Sequence, residues 1–215
     1  MGDVYKLASR VLIYLGNEAG NSNHAMDAIA KREGAAKEVL DLFQRTWFNR
    51  VWVLQEVALA ECALTICGSK CVPWTCFPAW WASNRASLGE LVNPPPGTLA
   101  YDPLVTKRLS LLQQLHDTRY SKATDPRDKV YALMGLLSPE DRSSLMVDYT
   151  KSVSHVYMEA AEAIVRRDHS LKLLSAVQPS DHSLHGSDLP SWVPDWRSEN
   201  PNCLAGFIKS FHGAI

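Results

Sequence analysis

A chain of 215 residues, 46% hydrophobic and 21% charged, is globular rather than disordered, with room for one large domain or about one and a half ordinary ones. Its 22 Lys and Arg against 23 Asp and Glu leave a formal net charge of −1 with no long basic run. That balance argues against nucleic acid or an anionic membrane as the main partner. The longest apolar stretches, such as Val11 to Leu15 and Val51 to Leu54, are too short to span a bilayer. The first residues lack the basic region and apolar core of a secretory signal, and Lys6 stands where a myristoylation motif needs Ser or Thr. A cytoplasmic location is the expectation.

Taken in order, Asp3 to Ser9 has helical character, and Val11 to Leu15, closed by Gly16 and Asn17, reads as a buried strand and a turn. Such a strand, covered on both faces, belongs to a parallel sheet. From Asn23 the chain turns helical through Ala25, Ile29, Val39, Leu40 and Phe43, with a break at Gly34. A second helix is expected from about Phe48 through Val51, Leu54, Val57 and Ala58. Leu64 to Gly68 reads as another short strand, so the strands are expected near 11–15 and 63–67. Pro73 to Gly97 looks irregular, with the Pro94-Pro95-Pro96 run as extended connector.

A helix over 106–118 carries Leu109, Leu112 and Leu115 on one side. Asp125-Pro126-Arg127-Asp128 is a strong helix start, with Asp125 as cap, Pro126 in the first turn and Asp128 at the positive end of the dipole. Lys129 to Leu136 is expected to continue it. Ser138 to Asp141 begins another turn by the same chemistry, and Lys151 to Asp168 has the spacing of a helix with a buried stripe. In the tail from Leu189 to Trp196, Trp192 and Trp196 are expected to pin the chain onto the helical body. Tyr131, Tyr149 and Tyr157 read as core or boundary aromatics.

The cysteines, Cys62, Cys67, Cys71, Cys76 and Cys203, form an odd set in a chain without an export signal, which predicts reduced thiols. Their spacing matches no tight zinc knuckle and no His lies among the first four, so no metal is expected. The chain carries no phosphate-binding glycine loop, nucleophile elbow or zinc-protease His pair, and its histidines are scattered. One segment stands out. In Trp47 to Glu56, Trp52 and Glu56 are four apart and would share a helix face. A carboxylate beside an indole can be partly desolvated and suit acid–base chemistry or binding of a sugar hydroxyl. The alternative is structural: Glu56 pairs with Arg50 or another cation while Trp52 packs in the core.

Trp47-Phe48-Asn49-Arg50-Val51-Trp52-Val53-Leu54-Gln55-Glu56 is similar to the Trp-Phe-x-Arg-x-Trp-x-x-Gln-Glu segment of fungal heterokaryon-incompatibility (HET) domains, matching at Trp47, Arg50, Trp52, Gln55 and Glu56. Tyr5, Ala8, Val11 and Leu15-Gly16 resemble the stretch before it. Asp125-Pro126-Arg127-Asp128-Lys129 through Leu136, with Asp148-Tyr149, resembles segments that follow the domain, as does Leu189 to Trp196. The landmarks occur in order along nearly the whole chain.

The resemblance implies a role in fungal non-self recognition and cell-death signalling, through protein partners or self-assembly. It also implies a distant kinship with TIR domains, some of which cleave NAD with a glutamate on a helix four residues after a Trp. By that likeness Glu56 would be catalytic, contacting the nicotinamide ribose and supporting an oxocarbenium-like transition state, with Trp52 in substrate binding and NAD as substrate rather than cofactor. The chain departs from the family in lacking its two opening strand motifs, which would be an N-terminal truncation. An incomplete parallel sheet without its nucleotide loop argues against catalysis and leaves an inactive fragment as a further alternative. The edge at Val11 to Leu15 would then need a partner chain or other cover. The expected fold is thus an incomplete TIR-like α/β part over 1–68, an irregular Trp/Pro-rich connector over 69–104, and a mostly helical region over 105–215.

Overall fold

Strands β1 (Val11–Tyr14), β2 (Ala63–Cys67) and β3 (Lys70–Pro73) make one sheet in the order β1-β2-β3, in a computed structural model that describes residues 2–88, 109–177 and 188–197. Both expected strands form. β1 pairs parallel with β2, Val11 beside Ala63, and β2 pairs antiparallel with β3, Thr65 beside Val72. Parallel neighbours need a long crossover, and here it consists of α2 (Ser22–Lys31), α3 (Ala36–Phe43) and α4 (Val53–Ala58). The antiparallel pair needs only the two-residue loop Gly68-Ser69, and Gly68 takes φ +56° there. The chain divides into two units, Met1–Arg108 and Leu109–Ile215, and the sheet belongs to the first.

Burial of β1 differs from the expectation of cover on both faces. Val11 and Ile13 are buried at 9% and 1% exposure, but Leu12 and Tyr14 are 62% and 58% exposed. The reason is the placement of the helices. α2 packs on β2 and β3, and α5 (Cys76–Leu88) packs on α2 and β3, closing over the face that carries Ile13, Thr65 and Val72. The core beneath is aromatic. Phe43 meets Phe48 edge-on at 5.0 Å, Trp47 meets Trp74 at 5.3 Å, and Trp74 stacks on Phe77 at 4.9 Å. Trp80 reaches Phe43 at 6.2 Å and donates its indole N–H to the Gly34 carbonyl. Gly34, at φ +51°, makes the expected break between α2 and α3.

Two further expectations are corrected in this unit. The helix read from Phe48 to Ala58 is a 3-10 turn over Thr46–Asn49, an extended Arg50 (φ −86°, ψ 136°), and then α4. Trp47, Phe48, Val51, Val53, Leu54, Gln55, Val57 and Ala58 are all buried, more positions than one side of a straight helix can present. The stretch read as irregular from 69 carries β3 and α5, because Phe77, Trp80 and Trp81 are buried anchors rather than loop residues. The triple proline lies outside the described residues.

The second unit is helical among its described residues: α6 (Leu111–Asp117), α7 (Asp128–Tyr131), α8 (Pro139–Ser143) and α9 (Val153–Asp168). Ser110, Ser138 and Ser152 cap α6, α8 and α9, each accepting a backbone N–H three residues on. α9 buries Val156, Tyr157, Ala160, Ala161 and Ile164, the stripe its spacing predicts. The helix expected over 129–136 stops at Tyr131. Leu133, Met134 and Leu136 instead donate to carbonyls three residues back, a tighter winding that buries all three. In the tail Trp196 is buried and meets the Tyr157 ring edge-on at 5.0 Å, whereas Trp192 is 37% exposed and Val193 takes the inward position beside it.

Of the four positive-φ glycines among the described residues, Gly68 has the least room for a side chain. A Cβ there would stand 2.8 Å from the Glu18 Cβ and 3.0 Å from its amide nitrogen, at a positive φ. Gly68→Ala is therefore expected to cost about 1–3 kcal/mol, read as a lowered urea midpoint.

Candidate functional site

The motif block of the first unit folds around one hydrogen bond. The Trp47 indole N–H donates to the Glu56 carboxylate at 2.9 Å, across the break at Arg50. Trp47 is buried, Glu56 is half-buried on the first turn of α4, and Trp52 is half-buried just before that helix. The carbonyl of Trp52 accepts the amide N–H groups of Gln55 and Glu56. The Trp47 indole, nine residues back, thus holds Glu56, a pairing that helical spacing does not indicate. Gln55 is buried at 3% exposure, and Arg50 is exposed.

A residue that sequence reasoning left out of the site is Tyr5. The first helix, α1 (Gly2–Leu7), packs against α4. Burial pushes the Tyr5 phenol above its ordinary value, the Glu56 charge adds to the shift, and the Arg50 charge opposes it. The structure therefore brings Tyr5, Trp47, Arg50 and Glu56 into one electrostatic neighbourhood. The pairing of Tyr5 with the motif is invisible locally, since it depends on where α1 lands. The arrangement offers a carboxylate with one oxygen already held by an indole and a phenol that stays protonated. It has the character of a joint between the 3-10 turn, α4 and α1.

The second motif block, Asp125 to Lys129, divides its side chains among separate structural tasks. Asp125 accepts the backbone N–H and the guanidinium of Arg127, and this bonding holds its carboxyl below the usual range. Arg127 also donates to the carbonyls of Tyr149 and Lys151 and lies 5.2 Å over the Tyr149 ring. Asp128, buried, accepts the Tyr149 hydroxyl at 2.6 Å. Burial, followed by that bond, pushes the Tyr149 phenol strongly up. The Lys129 ammonium is buried and donates to the carbonyls of Arg119 and Ser121. Tyr131 and Tyr157 finish the frame, donating to the carbonyls of Asp148 and Pro126.

Elsewhere in this unit an indentation of about 10 Å³ lies between α6, α8 and α9, where Arg167 pairs with the buried Asp141. That is room for about one water, not for a small-molecule ligand. Of the cysteines, Cys67 is buried, Cys62 and Cys76 are half-buried, and Cys71 is exposed; Cys203 lies outside the described residues. Among the described residues no three His, Cys, Asp or Glu side chains are grouped to hold a metal ion, and no helix is long and apolar enough to cross a membrane.

Two outcomes are expected from this geometry. Glu56→Ala removes the acceptor of a buried indole N–H and should cost about 1–3 kcal/mol in urea unfolding. Glu56→Gln, which keeps a carbonyl oxygen in reach, should restore most of it. Asp125 has a depressed folded pKa, so its stabilising contribution is present above the ordinary carboxylate value near 3.9 and is lost as the pH falls through the lower folded value. Acid titration of the unfolding midpoint should show that loss below about pH 4, and Asp125→Asn should flatten it.

No family model and no solved structure matches the chain. It is similar to heterokaryon incompatibility protein 6, OR allele, of Neurospora crassa, with 23% identity over 283 aligned positions. The alignment covers 91% of this chain and 41% of the Neurospora protein, so the chain spans less than half the length of that relative. The likeness runs through almost all of the chain and agrees with the HET resemblance carried by its two motif blocks, as a distant relationship to a fungal heterokaryon-incompatibility protein.

Proposed function

We propose that this chain acts in the cytoplasm as a heterokaryon-incompatibility-type protein, in fungal non-self recognition and cell-death signalling, through assembly with protein partners. The similarity to the Neurospora protein across 91% of the chain carries this reading. The geometry supports assembly over catalysis. Most of the motif side chains described above are tied into hydrogen bonds that join one segment to another, which keeps a surface in shape rather than opening a reactive centre. Glu56 in particular spends one carboxylate oxygen on Trp47.

The competing reading makes Glu56 the catalytic carboxylate of an NAD glycohydrolase. It is favoured by one observation, a half-buried carboxylate held beside Trp47 and Tyr5. The two part company on a simple assay. Purified chain incubated with NAD is expected to release no nicotinamide above a buffer control. Release by the wild type, abolished in a folded Glu56→Gln variant, would replace assembly with catalysis. For the leading reading, a filamentous fungus expressing the chain is paired with a strain that lacks it, and dye uptake is scored in fused cells. Death that requires the chain is the expected result, and fused cells that survive equally well in both pairings would sink the proposal.

A further inference from the structure

The peptide bond between Asp125 and Pro126 has its own nucleophile beside it. An aspartate can attack its own main-chain carbonyl carbon, an intramolecular reaction in which no second molecule has to arrive. Proline leaves readily from such a bond, because its departing nitrogen is a basic secondary amine. In the balanced step a carboxylate oxygen of Asp125 bonds to that carbon, the C–N bond breaks, and acid supplies a proton to the Pro126 nitrogen. Water then opens the cyclic anhydride. Asp125 becomes a C-terminus and Pro126 an N-terminus, with nothing oxidised or reduced. The Asp125 side chain is partly exposed, so acid and water reach it.

The fold engages that nucleophile on both oxygens. Arg127 donates its backbone N–H and its Nε to Oδ1 of Asp125, each at 3.0 Å, and Nη2 to Oδ2 at 2.7 Å. Attack on the carbonyl carbon requires one of these oxygens to be released. The guanidinium is itself held by the carbonyls of Tyr149 and Lys151 and by the Tyr149 ring. The peptide bond is pinned on both sides as well. The Asp125 carbonyl accepts the Asp128 N–H at 3.0 Å, and the Pro126 carbonyl accepts the Lys129 N–H at 3.2 Å and the Tyr157 hydroxyl at 2.9 Å. We propose that Asp125–Pro126 is a latent self-cleavage site, with Arg127 the positioning residue that keeps it intact by holding the Asp125 carboxylate. The cut would fall between α6 and α7, across which Lys129 donates back to the carbonyls of Arg119 and Ser121. Arg119 in turn donates forward to the carbonyls of Ala176 and Asp195. Scission therefore leaves a nicked unit whose two pieces stay bound.

The test holds the full chain at about pH 4, with and without guanidinium, and follows fragments by intact mass. The chain supplies its own reference in a second such bond, Asp102–Pro103, which lies outside the described residues. Cutting after Asp125 should be at least about tenfold slower in the folded wild type than in guanidinium. Arg127→Ala, shown by circular dichroism to be folded, should cut there at least about threefold faster than wild type, with cutting after Asp102 unchanged. Arg127→Lys keeps the charge but not the fork, so its rate should fall between the two; it decides the matter should Arg127→Ala not fold. Asp125→Ala, which has no nucleophile, should not be cut at that bond. The cut chain should elute as one species and come apart only in guanidinium. Equal rates in folded and denatured wild type would overturn the proposal. So would a folded Arg127 variant that cuts no faster than wild type, or a cut that persists in Asp125→Ala. Pieces that separate without denaturant would overturn the nicked form.

Discussion

The first unit is organised by aromatic rings that meet between elements far apart in the chain. Phe43 comes from the end of α3, Trp47 and Phe48 from the 3-10 turn, Trp74 from the end of β3, and Phe77 and Trp80 from α5. Edge-to-face and stacked pairs of this kind contribute about 0.5–1.5 kcal/mol each beyond their buried area. They also fix angles, since a ring that must present its edge to one neighbour and its face to another has little freedom left. The hairpin, the crossover and α5 are thereby set relative to one another. α2 and α5 cover the face that carries Ile13, Thr65 and Val72, while Leu12 and Tyr14 on the opposite face are exposed.

That constraint also explains what the Trp47 to Glu56 block does. Burying Trp47 and Phe48, which are adjacent, requires the chain to turn tightly and then change direction at Arg50 before α4 can begin. The change of direction folds Glu56 back onto the indole of Trp47. The second block works by a parallel logic in the other unit: ionic side chains are aimed at backbone carbonyls that no helix or strand would otherwise satisfy. Lys129 and Arg119 are both buried, and both donate to carbonyls, Arg119 to those of Ala176 and Asp195. Buried cations are costly unless so bonded, which makes these positions intolerant of change.

Much of this was legible where signals are local. β2 forms at the residues its composition indicated, the serine cap of α8 follows from Ser138 and Pro139, and the buried stripe of α9 follows from its spacing. Arg50 was not legible, because the apolar spacing on either side of it suits a continuous helix and only the tertiary demand to bury Trp47 and Phe48 breaks it. β3 is four residues long and ends in a proline, too brief for a period to declare itself. α5 hid behind Pro73, Pro78 and three tryptophans, which read as loop, although a proline in the first helical turn is tolerated. The pairing of Glu56 with Trp47 lay beyond any periodic argument. Helical spacing compares residues three or four apart, and this bond joins residues nine apart in sequence.

The order of the strands has a consequence in time. β2 and β3 are joined by a two-residue loop and can zip together as soon as both exist, whereas β1 must find a partner on the far side of the crossover, Val11 meeting Ala63. Loop closure over that length costs entropy before any contact returns it, so pairing of β1 is the slow, late event. At a synthesis rate of about 5–20 residues per second, β1 leaves the ribosome roughly 3–10 s before β2 is complete. During that interval Val11 to Tyr14 is an apolar strand with its backbone donors and acceptors open, a segment that a chaperone would shelter.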